Sequence, residues 1–302
     1  MTTQRNTMAV YLGLVTAMAF YGLSFISTKA VLQELGPVGI LLIRISLSSL
    51  LLHLVYRLQR SRKRQRIAAG DLRFFMVVAL FQPFLYFMSE NLGLDRVSPA
   101  VASIIIGTIP VVTPAIAAPL LGERLSRLNI IGLVVSLAGV AVITGSGDGT
   151  EISIAGILLL FGAVLAAAGY AVAVRRVPAH YDAFTIVRMQ NLLGIPMVLP
   201  FFLLFEVGAG ITVSATAALH LGFLSVFPST ISFILLSNGI RQVGAGRANA
   251  FANLVPVFTA GFSVLFLAEP VVLRVWLGMA LVIAGVSIAQ QRHTPRTGIQ
   301  ES

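Results

Sequence analysis

The sequence predicts an all-α membrane protein of ten transmembrane helices, arranged as two inverted five-helix repeats. Three observations predict it: a chain cut into apolar segments of membrane-spanning length, a strong bias of Lys and Arg to alternate seams, and a repeat at an interval of 146 residues. Of 302 residues, 57% are hydrophobic and 11% charged, against about 25% charged in an ordinary soluble domain. The charged and turn-rich seams leave apolar segments at 8–29, 38–57, 73–92, 97–121, 128–145, 152–174, 183–205, 216–238, 246–268 and 274–291. Each is close to the ~20 residues that cross ~30 Å of hydrocarbon. Helices are expected, because barrel strands are shorter and alternate polar with apolar residues.

The first segment is too long for a secretory signal and lacks a small-residue cleavage pattern, so it reads as a retained helix. The chain has no cysteine, hence no disulfide framework and no thiolate metal site. His53, His180, His220 and His293 are scattered, so neither a metal site nor a cofactor is expected.

The net charge of +10 points to topology rather than to nucleic acid. With the N-terminus in the cytoplasm, 16 of the 21 Lys and Arg fall on the cytoplasmic side, and only Lys29, Arg96 and Arg274 on the other. The positive-inside rule then places both termini in the cytoplasm of a bacterial inner membrane. The run RLQRSRKRQR (57–66) reads as an anchor beside anionic lipid; no nucleic-acid partner is expected.

Shifting the chain by 146 residues aligns 97–144 with 243–290. Pro110 falls on Pro256, Thr113 on Thr259, Glu123 on Glu269, Gly132 on Gly278 and Gly139 on Gly285. Proline, glutamate and paired glycines are not what hydrophobic composition alone would align. The chain therefore divides at 1–147 and 148–302. An odd number of spans per half makes the second repeat enter the membrane from the opposite side. Glu123 and Glu269 each precede a helix start, where a carboxylate accepts from free backbone N–H groups, so they read as caps. Arg44 and Arg188, each early in the second helix of its half, are expected at equivalent positions with a structural role, a substrate carboxylate being the other partner each would suit.

The runs ENLGLDRVSPAVASIIIGTIPVVTPAIAAPLLGERLSRLNIIGLVVSLAGVAVI and GAGRANAFANLVPVFTAGFSVLFLAEPVVLRVWLGMALVIAGVSI resemble the two signature segments of EamA-type permeases of the drug/metabolite transporter superfamily. YGLSFISTKAV (21–31) and LLIRISLSSLLL are similar to that family's first and second helices. The resemblance implies a ten-helix carrier with a central cavity, moving small polar metabolites such as amino acids, with no cofactor. Tyr21 stands where the family often has tryptophan, and the single tryptophan, Trp276, lies near a helix end, which argues against an aromatic cage.

In inverted-repeat carriers the substrate binds near the midplane, where helices are broken. Pro110, Pro114 and Pro119 in the fourth span and Pro256 in the ninth free carbonyls one turn earlier, so the cavity is expected along these spans. Asn249, Asn253 and Pro256 share one face, matched by Ser103, Gly107 and Pro110; the alternative is that the asparagines hold helices together. On the third span Gln82, Tyr86 and Glu90 recur every four residues. Glu90 lies about 27 Å along from Leu72, near the external interface, where it is expected to be wetted rather than a gate or proton site. In SVFPSTIS (225–232), Pro228, Ser229 and Thr230 face Gln82 under the same shift. Tyr170 and Ser24 are weaker choices.

None of the eleven acids falls mid-helix. Facilitated export is therefore preferred over proton coupling, with protons kept as a coupling partner through Glu90, a helix-end glutamate or a histidine. An intramembrane enzyme lacks a convergent set of catalytic groups. A structural or regulatory membrane protein, or a sugar- or drug-type carrier of the same family, is the competing expectation. Substrate identity, direction and oligomeric state are not legible.

Overall fold

The computed structural model describes residues 2–58, 65–121, 126–144, 153–209, 213–243, 251–267 and 272–290. The described residues are helical throughout, with no strand among them. Among the described residues nine helical stretches are long and apolar enough to cross a membrane, and a tenth apolar stretch, Phe251–Leu267, is shorter. The first two spans are α1 (Thr2–Val31) and α2 (Pro37–Leu58). The third is split into α3 (Leu72–Ala79) and α4 (Tyr86–Leu94), and the fourth into α5 (Pro99–Ile106) and α6 (Ile109–Leu121). The first repeat closes with α7 (Arg127–Thr144).

The second repeat runs through α8 (Ile154–Val174) and α9 (Ala183–Phe205) to an eighth span split into α10 (Ala215–Val226) and α11 (Ser232–Val243). It ends with α12 (Leu254–Leu267) and α13 (Leu273–Gln290). Four helix starts carry side-chain caps: Ser98, Ser153, Asp182 and Ser214 each accept from a backbone N–H one turn on, satisfying donors the helix leaves free. Glu123 and Glu269 lie outside the described residues.

The packing repeats the sequence symmetry. Helix α1 packs on α12 as α8 packs on α6, and α1 on α11 as α8 on α4, while α2 meets α9 and α7 meets α13 across the halves. The inverted two-fold relation is thus built from matching pairs of contacts. Glycines let α7 and α13 approach until backbones touch. A Cβ built on Gly139 would stand 2.7 Å from the carbonyl of Gly278, and one on Gly285 2.6 Å from that of Gly132. Small residues at such a seam suit lipid, where dispersion and close approach drive helix association. Outward, Leu58, Leu204 and Leu219 expose about three quarters of their surface, as lipid-facing residues do.

Both ends of the bundle are tied across the halves. At the end where α1 finishes, Ser214 N and Oγ donate to the Glu34 carboxylate at 2.8 and 2.7 Å, while Val38 N and Gly39 N donate to that of Glu206 at 2.9 and 2.6 Å. At the other end Tyr181 OH donates to Asp71 Oδ2 at 2.8 Å and accepts from Ala68 N at 3.1 Å; Gln65 bridges His180 O and Asp182 N. Ser214 and Ala68 stand 146 residues apart, so the two ties are repeat-related.

Candidate functional site

The helix breaks position the polar groups. Pro228 has no N–H, so the carbonyl of Leu224 loses its usual helical donor. Ser229 Oγ donates to it instead, at 2.8 Å, and Thr230 Oγ1 donates to Ser225 O at 3.0 Å. The chain widens to a π turn over Phe227–Ile231, a device common at functional sites. With its proton committed to Leu224, the Ser229 hydroxyl presents lone pairs to the bundle interior. Arg44 Nε donates to it at 2.8 Å, joining the first repeat to the second.

The third span breaks at the repeat-equivalent place. A second π turn covers Leu80–Leu85, where Gln82 is extended (φ −146°, ψ 120°) and the Gln82–Pro83 peptide is cis. This corrects the helical spacing expected of Gln82, Tyr86 and Glu90, because Gln82 lies inside the break rather than on the Tyr86 face. Tyr86 and Glu90 do meet: Tyr86 OH donates to Glu90 Oε1 at 2.9 Å. Glu90 is buried, at 8% exposure, so the expectation of a wetted acid fails. Chain position put it near the interface, whereas neighbouring helices close over it.

Arg44 is also buried and lies with its guanidinium carbon 4.2 Å from the centre of the Phe87 ring. Phe87 in turn meets the Tyr86 ring edge-on, 5.0 Å between centres, so Arg44, Phe87, Tyr86 and Glu90 form one connected cluster. Around this centre Asn191 Nδ2 donates to Ser48 Oγ at 3.0 Å, Ser48 lies 3.3 Å from Thr230 Oγ1, and Tyr170 OH donates to Gln190 Oε1 at 3.1 Å. The Asn191–Ser48–Thr230 chain alternates between the halves, so relative movement of the repeats would remake it, whereas the Tyr170–Gln190 bond lies within the second repeat.

The two arginines are not equivalent, which corrects the expected symmetry. The 146-residue shift carries Arg44 to Gln190, not to Arg188. Arg188 stacks on Tyr56, 4.0 Å from the ring centre, and its buried Nε has no hydrogen-bond partner among the described residues. Counting from the helix start misplaced the pair by two residues, enough to turn a side chain through about half a helical turn. Applied to Arg44, the repeat interval is the signal in the sequence that finds Gln190; Phe87, Ser48 and Asn191 carry no comparable mark.

The fourth and ninth spans pack together along a seam. The fourth breaks at Gly107 and Thr108, and Pro110 sits second in α6, within the first turn, where its missing N–H costs little. A Cβ on Gly107 would stand 3.1 Å from Pro256 Cγ. Ser103 is fully buried and donates to Ala100 O. Asn253 ends a 3-10 turn, Phe251–Asn253, and its Nδ2 lies 3.5 Å from Ser287 Oγ. Asn249 lies outside the described residues. Ser24 donates to Tyr21 O within α1.

Two inverted bundles of broken helices surround a buried polar centre, the architecture of a multi-pass membrane protein. The EamA-like transporter family matches residues 8–145 and 154–289, and the chain belongs to that family. It is 25% identical to an uncharacterized transporter of Archaeoglobus fulgidus, over 95% of this chain and 100% of that one. It is 26% identical to a probable terminal-alkyne amino-acid exporter of Streptantibioticus cattleyicolor, over 94% of each chain. A solved crystal structure shares the fold, with a TM-score of 0.66 at 19% identity, covering 93% of this chain and 98% of that one.

Proposed function

We propose that this transporter moves small polar metabolites, amino acids or related compounds foremost, across the bacterial cytoplasmic membrane by alternating access. The observation that carries this reading is the Arg44–Ser229 bond: a cation is held in the apolar interior at the junction of two repeats that must part for a substrate to pass. A buried charge is costly and is kept where it binds something. The amino-acid preference is supported by the exporter relative's name and by the fit of a guanidinium to a carboxylate. Tyr86, Gln82 and Ser229 line the substrate path; Ser103, Gly107, Pro110, Asn253 and Pro256 form the seam along which the halves slide, and Asn249 belongs to the same span.

The Lys and Arg asymmetry supports cytoplasmic termini; a reporter fused after Gln291 that reads periplasmic would overturn this. Export is facilitated in this reading, the alternative being proton coupling through Glu90, a helix-end glutamate or a histidine. Uptake of radiolabelled candidates into proteoliposomes tests the function: saturable flux supports a carrier, and flux no greater than in empty vesicles would leave a structural or regulatory role.

A further inference from the structure

We infer that Arg44 and Glu90 read the two ends of a zwitterionic α-amino acid, Arg44 taking the carboxylate and Glu90 the ammonium. The inference rests on the transport reading above and names the chemistry of that same site. Arg44 lies over the Phe87 ring, Phe87 meets Tyr86 edge-on and Tyr86 donates to Glu90, yet among the described residues Arg44 has no carboxylate within 4.0 Å. They are neighbours that do not close into an ion pair.

Their spare bonding capacity points the same way. Arg44 spends Nε on Ser229, and among the described residues its two terminal nitrogens have no hydrogen-bond partner; Glu90 accepts from Tyr86 at Oε1, and Oε2 has none. A terminal guanidinium edge with two free nitrogens matches a carboxylate bidentately, and a free carboxylate oxygen accepts from an ammonium. The same spare atoms would be a penalty in a purely structural ion pair.

Charge balance selects the ligand class. The site sets one guanidinium beside one carboxyl group in a region of low dielectric, where a net charge is expensive. A zwitterion adds a complementary dipole and leaves the sum at zero. A phosphate or dicarboxylate would bring excess negative charge beside Glu90, and a neutral sugar would leave both charges unanswered. Phe87 under the guanidinium and the Tyr86 ring supply an apolar wall for a side chain.

The test uses the wild-type protein in proteoliposomes, with the radiolabelled proteinogenic L-amino acids as probes. Whichever is transported is then competed with itself, its N-acetyl derivative, which lacks the ammonium, and its amide, which lacks the carboxylate. Each derivative should compete about 10- to 100-fold less well, the size of one lost charged hydrogen bond. In Glu90→Gln the N-acetyl derivative should compete nearly as well as the parent. Equal competition by parent and derivatives in the wild type would overturn the inference while leaving transport intact. So would transport of glucose or choline but of no amino acid. If Glu90→Gln does not fold, the wild-type competition decides alone, and flux of no solute at all would remove the transport reading as well.

Discussion

Ser136 Oγ donates to the carbonyl of Val282 at 3.4 Å, and the two residues stand 146 apart, the interval at which Pro110 recurs as Pro256. Positions exchanged by a repeat touch only near the axis that exchanges them. The two-fold axis therefore passes through the α7–α13 seam, with Gly132 against Gly285 on one side and Gly139 against Gly278 on the other.

That seam has no room for a side chain at its glycines. Gly139→Leu should lower stability by about 1–3 kcal/mol, the usual cost of overpacking, and Gly278→Leu by a similar amount. Val134→Leu, at a position 62% exposed, should change little. Thermal melting in detergent measures all three, and an unchanged midpoint in both glycine variants would place the helices farther apart than described.

Ser229 carries two hydrogen bonds that nothing nearby replaces. Ser229→Ala leaves the Leu224 carbonyl without its donor and Arg44 without its acceptor. The expected loss is about 1.5–3 kcal/mol, the range for bonds to charged groups. Arg44→Gln should abolish transport while the protein still elutes as a folded monodisperse species. Arg188→Gln should reduce folded yield without changing which solutes compete, because that side chain stacks on Tyr56.

The ten spans and the two-fold repeat were legible because lipid imposes them: length, apolarity and the 146-residue interval are all written in residue type. The breaks at Gln82–Pro83 and Pro228 were half legible, as prolines, but the turn at Pro228 depends on the Ser229 hydroxyl reaching the freed Leu224 carbonyl, which no residue pattern announces. Least legible was the charged centre. Glu90 sits near a helix end by count and is buried by its neighbours, and Arg44 gains its meaning from Ser229, 185 residues away. Composition cannot encode such a distance.

Gly107→Leu should insert at normal levels and lose most transport, since its side chain would have to displace Pro256 at the seam between the halves. Asn253→Leu should lose transport to a smaller extent by deleting the weak contact to Ser287. Full activity of Gly107→Leu at wild-type expression would show that the seam does not move in the cycle.

The Glu34–Ser214 tie should respond to acid. The backbone N–H of Ser214, then its hydroxyl, hold the Glu34 carboxyl below the ordinary carboxylate range. A lowered folded value means the contribution is fully present above that range and is lost as pH falls through the lowered value. Hydrogen exchange at the Ser214 amide, compared with Glu34→Gln, should show protection near neutral pH that disappears in acid. Identical exchange in the two proteins at neutral pH would show that the tie does not form.

Counterflow of radiolabelled amino acids in proteoliposomes tests most directly whether a substrate crosses at the buried cation. Wild-type vesicles should show saturable accumulation of at least one amino acid, and vesicles holding folded Arg44→Gln should show none. Equal accumulation in the two preparations would contradict the placement of the site at Arg44, and accumulation no greater than in protein-free vesicles would contradict amino-acid transport itself.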